Sequence, residues 1–138
     1  TVMLSATLVS RITSIASVPI RRFSAKAKFA FDVTDATFQK EVIDASHTTP
    51  VVLDCWADWC RPCKMLAPVL EAAVDQHQGA VVLAKMNVDY ERSVPVEAIP
   101  AVFGYSRGKV IDQFVGGQPS TKINEFVQGL IDAHKKGK

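Results

Sequence analysis

The stretch Val51-Val52-Leu53-Asp54-Cys55-Trp56-Ala57-Asp58-Trp59-Cys60-Arg61-Pro62-Cys63-Lys64 joins an apolar run to a pair of cysteines. Val51–Ala57 is dense in β-branched and apolar residues, the composition of a strand buried on both faces of a sheet. From Cys60 to about His77, Leu66, Val69, Leu70, Ala73 and Val74 recur at helical spacing. A buried strand therefore runs into a helix, and the cysteines stand at the helix start. There they can be brought within disulfide reach of each other. The unpaired amides and positive dipole end of the helix favour an anionic sulfur at Cys60, and the thiolate is the nucleophilic form. Pro62 falls in the first turn, where its missing donor costs little and its fixed φ helps hold the loop.

Working outward, the periods alternate. Lys28–Val33 is expected to form a first strand, followed by a helix capped by Asp35 with Phe38, Val42 and Ile43 inward. Pro68 is expected to kink the helix that follows the cysteines. Val81–Val88 reads as the next strand. Ala101–Ser106 and Lys109–Val115 flank Arg107-Gly108, a hairpin turn. Gly116-Gly117 breaks the chain, and Ser120 is expected to cap a last helix with Ile123, Phe126, Val127, Leu130 and Ile131 on one stripe. The order implies an α/β fold: a mixed sheet covered by helices.

Residues from about 28 to 134 resemble the thioredoxin family. The active-site stretch quoted above carries the resemblance, with Pro68 at the helix kink, Ala84-Lys85-Met86-Asn87-Val88-Asp89 on the central strand, Ile99-Pro100 and Gly116-Gly117. The resemblance implies a thioredoxin fold, with a central mixed β-sheet flanked by helices, and dithiol–disulfide exchange with protein substrates. It implies that Cys60 attacks a target disulfide, that Cys63 resolves the mixed disulfide, and that Pro100 follows a cis bond. Trp59, Arg61, Pro62, Ile99, Pro100 and Gly116 are then the substrate-binding candidates. Trp59 is expected to cover the site and Trp56 to support it from the strand.

Asp54 is an acid within an apolar strand. Desolvation should raise its proton affinity, so that it can serve Cys63 as base through water. Lys85, on the neighbouring strand, is its expected charge partner. Protein disulfides are the expected substrates, with a reductase or a low-molecular-weight dithiol as reductant. No cofactor and no metal are expected, and the chain is read as a monomer. A zinc site would need four ligands, and beyond the pair only Cys55, His47, His77 and His134 remain, none at ligand spacing.

The first 27 residues stand apart. All 14 acidic residues lie at or after Asp32, whereas Arg11, Arg21, Arg22, Lys26 and Lys28 precede it. Residues 1–23 carry three arginines and no acid, so without them the net charge of +2 becomes −1. An Arg-rich, Ser-rich, acid-free segment reads as a mitochondrial transit peptide, with cleavage before Ser24, or alternatively as a flexible N-terminal arm. The expected localisation is therefore mitochondrial, in the matrix, with residues 28–138 as the thioredoxin domain. At 138 residues, 48% hydrophobic and 22% charged, the chain holds one core and one domain. A net charge this small argues against nucleic acid as a partner, and no apolar run approaches the ~20 residues of a membrane span.

Several positions depart from the family pattern. Arg61 stands where glycine is usual, Cys55 where an aromatic is usual, and Ala101 where threonine commonly follows the proline. Cys55, next to Asp54 on a strand, should point to the opposite sheet face, either as a small buried hydrophobe or as an auxiliary thiol. Only ten residues separate Asp89 from Pro100, about one helical turn fewer than the family has. There, Val94-Pro95-Val96 is expected to leave apolar surface near the substrate groove. That surface and Cys55 motivate an alternative function, a redox-regulated holder of unfolded client proteins.

Overall fold

A computed structural model describes residues 27–138; residues 1–26 of the expected leader, with the expected cleavage point before Ser24, lie outside the described residues. Five strands form one sheet in the order β1-β3-β2-β4-β5. They are β1 (Ala30–Asp32), β2 (Val51–Trp56), β3 (Val82–Asn87), β4 (Ala101–Ser106) and β5 (Lys109–Val115). β3 is parallel to both β1 and β2, whereas β4 is antiparallel to β2 and to β5. The expected strands are all present, with β1, β2 and β3 trimmed by a residue or more at their ends.

Three helical segments cover the sheet: α1 (Asp35–Phe38), α2 (Arg61–Asp75) and α3 (Ser120–Lys135). α1 continues as a π-helical stretch over Gln39–Asp44 and a 3-10 turn over Ala45–His47. Two helix starts differ from expectation. Thr34, not Asp35, is the residue before α1, held by a hydrogen bond from its amide to Thr37 Oγ1 at 3.0 Å. Asp35 is released to bind elsewhere. Likewise Pro119 precedes α3, its carbonyl accepting from Lys122 N and Ile123 N, and Ser120 is already helical. Proline's fixed φ suits the entry to a helix, which explains the shift.

The side-chain alternation of β2 sorts the core into two layers. Val52 packs with Leu66, Leu70, Val74, Ile123, Val127 and Leu130 beneath α2 and α3. Val51, Leu53 and Cys55 pack on the other face with Phe31, Val42 and Met86. A strand between two apolar layers has no solvent side, which is why Val51–Cys55 reads as one continuous buried run. The Arg107-Gly108 turn has positive φ at both residues, 54° and 84°, as a two-residue hairpin of matching twist requires.

The shortened stretch before Pro100 forms no helix and is sewn to α1 instead. The Asp35 carboxylate accepts from Arg92 N and Ser93 N at 2.9 and 2.8 Å, and also from Ser93 Oγ. Glu91 returns the contact, accepting from Asp35 N at 3.0 Å. The donors hold the Asp35 carboxyl below its ordinary range, Ser93 Oγ contributing most. Val94 and Val96 pack against the core layer of Phe31 and Met86. Both are half-buried there, and Pro95 between them is exposed.

Candidate functional site

The end of β2 and the start of α2 create the site. Cys60 is the residue before α2, extended at φ −90° and ψ 100°, and its Sγ accepts from Cys63 N at 3.2 Å. Arg61 and Pro62 make the first turn, so neither the loop geometry nor the helix is penalised by the proline. Cys60 and Cys63 form a disulfide with Cα atoms 5.3 Å apart. Both sulfurs are buried, packed with Ala57, Trp56, Val88 and Ile99. α2 continues through Pro68.

The chain arrives opposite the cysteines through the cis peptide Ile99-Pro100. Pro100 O accepts from Gly116 N at 2.8 Å, which ties the two expected groove segments together. Gly116 holds φ +84°, a conformation that a side chain would strain. On the other flank, Pro62, Met65 and Gly117 line an apolar depression. The six substrate-binding candidates thus gather around one end of the sheet. Trp59 is 69% exposed, its Nε1 donating to both Asp89 carboxylate oxygens at 3.1 and 3.2 Å. Asp89 closes the Ala84–Asp89 stretch that carries the family resemblance, but its partnership with Trp59 had no signal in the sequence.

Behind the disulfide, Asp54, Trp56, Cys63, Lys64, Ala67 and Lys85 line a cavity of about 210 Å³. Asp54 is 1% exposed, and neither of its carboxylate oxygens finds a hydrogen-bond partner among the described residues. Burial pushes its carboxyl up to about 7; the Lys85 charge pulls it down and the Glu71 charge adds to the rise. Lys85 is in register with Asp54 on the adjacent strand, but its ammonium pairs with Glu71 Oε1 at 2.9 Å. Lys85 thus acts on Asp54 through its charge, as expected, while its contact ion pair is with Glu71, because α2 lowers a carboxylate onto the lysine. Glu71 went unnoticed in the sequence, although Lys64, Ala67 and Glu71 share one helix stripe and the first two line the cavity.

Cys55 is fully buried on the opposite face, and its thiol is pushed up to about 12 by burial and then by the Asp54 charge. Among the described residues no group of three His, Cys, Asp or Glu side chains can hold a metal ion, and no helix is long and apolar enough to cross a membrane.

A dithiol–disulfide couple at the mouth of a helix, served by a groove and backed by a buried acid, defines a thiol–disulfide oxidoreductase. The family described as Thioredoxin matches residues 29–129. Thioredoxin of Chlorobaculum thiosulfatiphilum is 39% identical over 108 residues, covering 75% of this chain and 94% of that protein. Thioredoxin 1 of Nostoc sp. is 35% identical over 103 residues, 72% of this chain and 94% of that protein. The mouse protein named "Thioredoxin, mitochondrial" is 39% identical over 106 residues, 73% of this chain and 63% of that protein. The chain belongs to the thioredoxin family. It is a protein-disulfide reductase.

Proposed function

We propose that this chain reduces protein disulfides in the mitochondrion, with Cys60 as nucleophile and Cys63 as resolving thiol. The observation that carries the assignment is the position of Cys60: it ends the loop, accepts from the Cys63 amide and faces the Ile99-Pro100 segment. In the forward direction the Cys60 thiolate attacks one sulfur of the target disulfide, and the other target sulfur leaves and takes a proton. Asp54 accepts the Cys63 proton through the cavity between them. The Cys63 thiolate then attacks Cys60 Sγ, releasing the second target thiol and closing the Cys60–Cys63 disulfide. Two electrons pass from the dithiol to the target, and a reductase or small dithiol restores the reduced pair. Ile99, Pro100 and Gly116 shape the groove, with Trp59 and Pro62 at its rim. Gly116 contributes backbone geometry, since its amide is already used by Pro100.

The compartment rests on the basic, acid-free leader and on the mitochondrial proteins among the relatives. In cells deprived of their mitochondrial protein-disulfide reductase, the full chain is expected to restore growth from the mitochondrial fraction. The Cys60→Ser/Cys63→Ser double variant is expected to fail. Rescue by the double variant would remove redox turnover from the function, and wild-type protein confined to the cytosol would remove the compartment. The client-holding alternative gains no support: Val94 and Val96 are half-buried against the core, and Cys55 is sealed within it.

Arg61 sets the balance of the couple in this reading. Its guanidinium is always charged and adjoins the nucleophile, so it favours thiolate and thereby the reduced protein. Arg61→Gln and Arg61→Gly are expected to become more reducing, by less than about tenfold in the exchange constant because the side chain is exposed to screening water and salt. Equilibration with glutathione at low salt measures this directly. If both variants match the parent, Arg61 is a docking residue only.

A further inference from the structure

The cavity behind the cysteines is lined by one acid, Asp54, and by two lysines, Lys64 from α2 and Lys85 from β3; of these, Lys85 is in register with Asp54 on the neighbouring parallel strand. In that register both side chains stand on the same face of the sheet, about 5 Å apart at their roots. A lysine stem is long enough to lay its ammonium on the acid. It does not do so here. The ammonium lies 2.9 Å from Glu71 Oε1, both side chains being mostly buried, at 18% and 15% exposed. Asp54 is left with no hydrogen bond to either oxygen among the described residues.

We propose that Glu71 is a positioning residue for the exchange reaction: it holds the Lys85 ammonium away from Asp54, so that Asp54 stays free to take up and release the Cys63 proton. This rests on the reading of Asp54 as the proton acceptor for Cys63. An ammonium seated on Asp54 would stabilise the carboxylate and weaken it as a base, while an ammonium removed altogether would leave the acid protonated to higher pH. Glu71 keeps the charge near but not in contact, which places Asp54 between those limits. The charged and titratable groups facing Asp54 are few. Lys85 approaches from β3, Glu71, Lys64 and Cys63 from α2, and Cys55 adjoins it on β2; its register partner on β4 is Val102. Cys55 does not ionise until about 12, and in the oxidised protein Cys63 does not titrate at all.

Oxidation thus leaves Asp54 to titrate without its sulfur neighbour. In the oxidised full chain carrying 13C-labelled aspartate, the Asp54 carboxyl is followed by NMR against pH. Glu71→Leu removes both the charge and the acceptor, and Lys85 then turns to Asp54. The expected result is a fall of about one pH unit in the Asp54 midpoint. In a Lys85→Met background the same substitution can act only through the lost Glu71 charge, so its effect is expected to be less than half as large. Glu71→Gln, which keeps an acceptor, should fall between Glu71→Leu and the parent. The rate of mixed-disulfide resolution by reduced Glu71→Leu should show its acid limb displaced to lower pH by the same amount. An unmoved midpoint in Glu71→Leu, or a change in the Lys85→Met background half as large or larger, overturns the proposal while leaving Asp54 its role. An unchanged resolution rate in Asp54→Asn overturns the Asp54 reading, and with it the part of Glu71 in the reaction.

Discussion

Cys63→Ser is expected to remain covalently joined to its target proteins, whereas Cys60→Ser should capture none through this site. With Cys63 removed, attack by Cys60 still forms the mixed disulfide, but no neighbouring thiolate is left to displace it. The intermediate then decays only by outside thiols, and turnover falls by orders of magnitude. The asymmetry follows from place: Cys60 is the residue before α2 and Cys63 lies within its first turn, against the cavity. Non-reducing gels followed by mass spectrometry of the captured adducts provide the measurement. Equal capture by the two variants would reverse or dissolve the assigned roles.

Asp54→Asn is expected to flatten the pH dependence of stability between about pH 4 and pH 7.5. Burial raises the folded carboxyl from 3.8 to about 7. Below the unfolded value both states hold the proton, and the stability associated with the protonated acid is fully present. As pH rises the unfolded chain releases its proton first, so folding is progressively disfavoured until the folded acid also ionises near 7. The loss over that window is roughly 3–5 kcal/mol, because each tenfold difference in proton affinity between the folded and unfolded chain is worth about 1.4 kcal/mol. Denaturant unfolding of the oxidised protein at pH ~4 and pH ~8 should show this loss in the parent and not in the variant. A parallel pH dependence in both proteins would place the folded Asp54 carboxyl near its ordinary value and refute the burial argument.

Much of this was legible in the sequence, for identifiable reasons. Val51–Cys55 shows no alternation because both its faces are covered, and the cysteine pair follows it directly. Arg107-Gly108 needed only local turn chemistry to be recognised. The places that escaped reading depend on distant partners. Lys85 and Asp54 were rightly placed on neighbouring strands, but which acid the ammonium meets depends on how low α2 lies over the sheet. Asp35 looked like a cap because its type favours one; its partners are 57 and 58 residues away along the chain. No local pattern shows that Val94 and Val96 lean half-buried against the core once that carboxylate has gathered the backbone around it.

Three cysteine sulfurs in so small a molecule invite scrambling, and the direction of one side chain prevents it. Asp54 and Cys55 are consecutive, yet one looks toward the reactive pair and the other away from it, with the hydrogen-bonded backbone of the sheet between them. The sheet acts as a partition. A thiol must meet a disulfide sulfur as an anion to exchange with it, and Cys55 is both walled off and un-ionised up to about 12. The folded protein therefore handles electrons strictly in pairs, one bond at a time. Only a chain that has lost its sheet can pool all three sulfurs and lock itself into a wrong pairing.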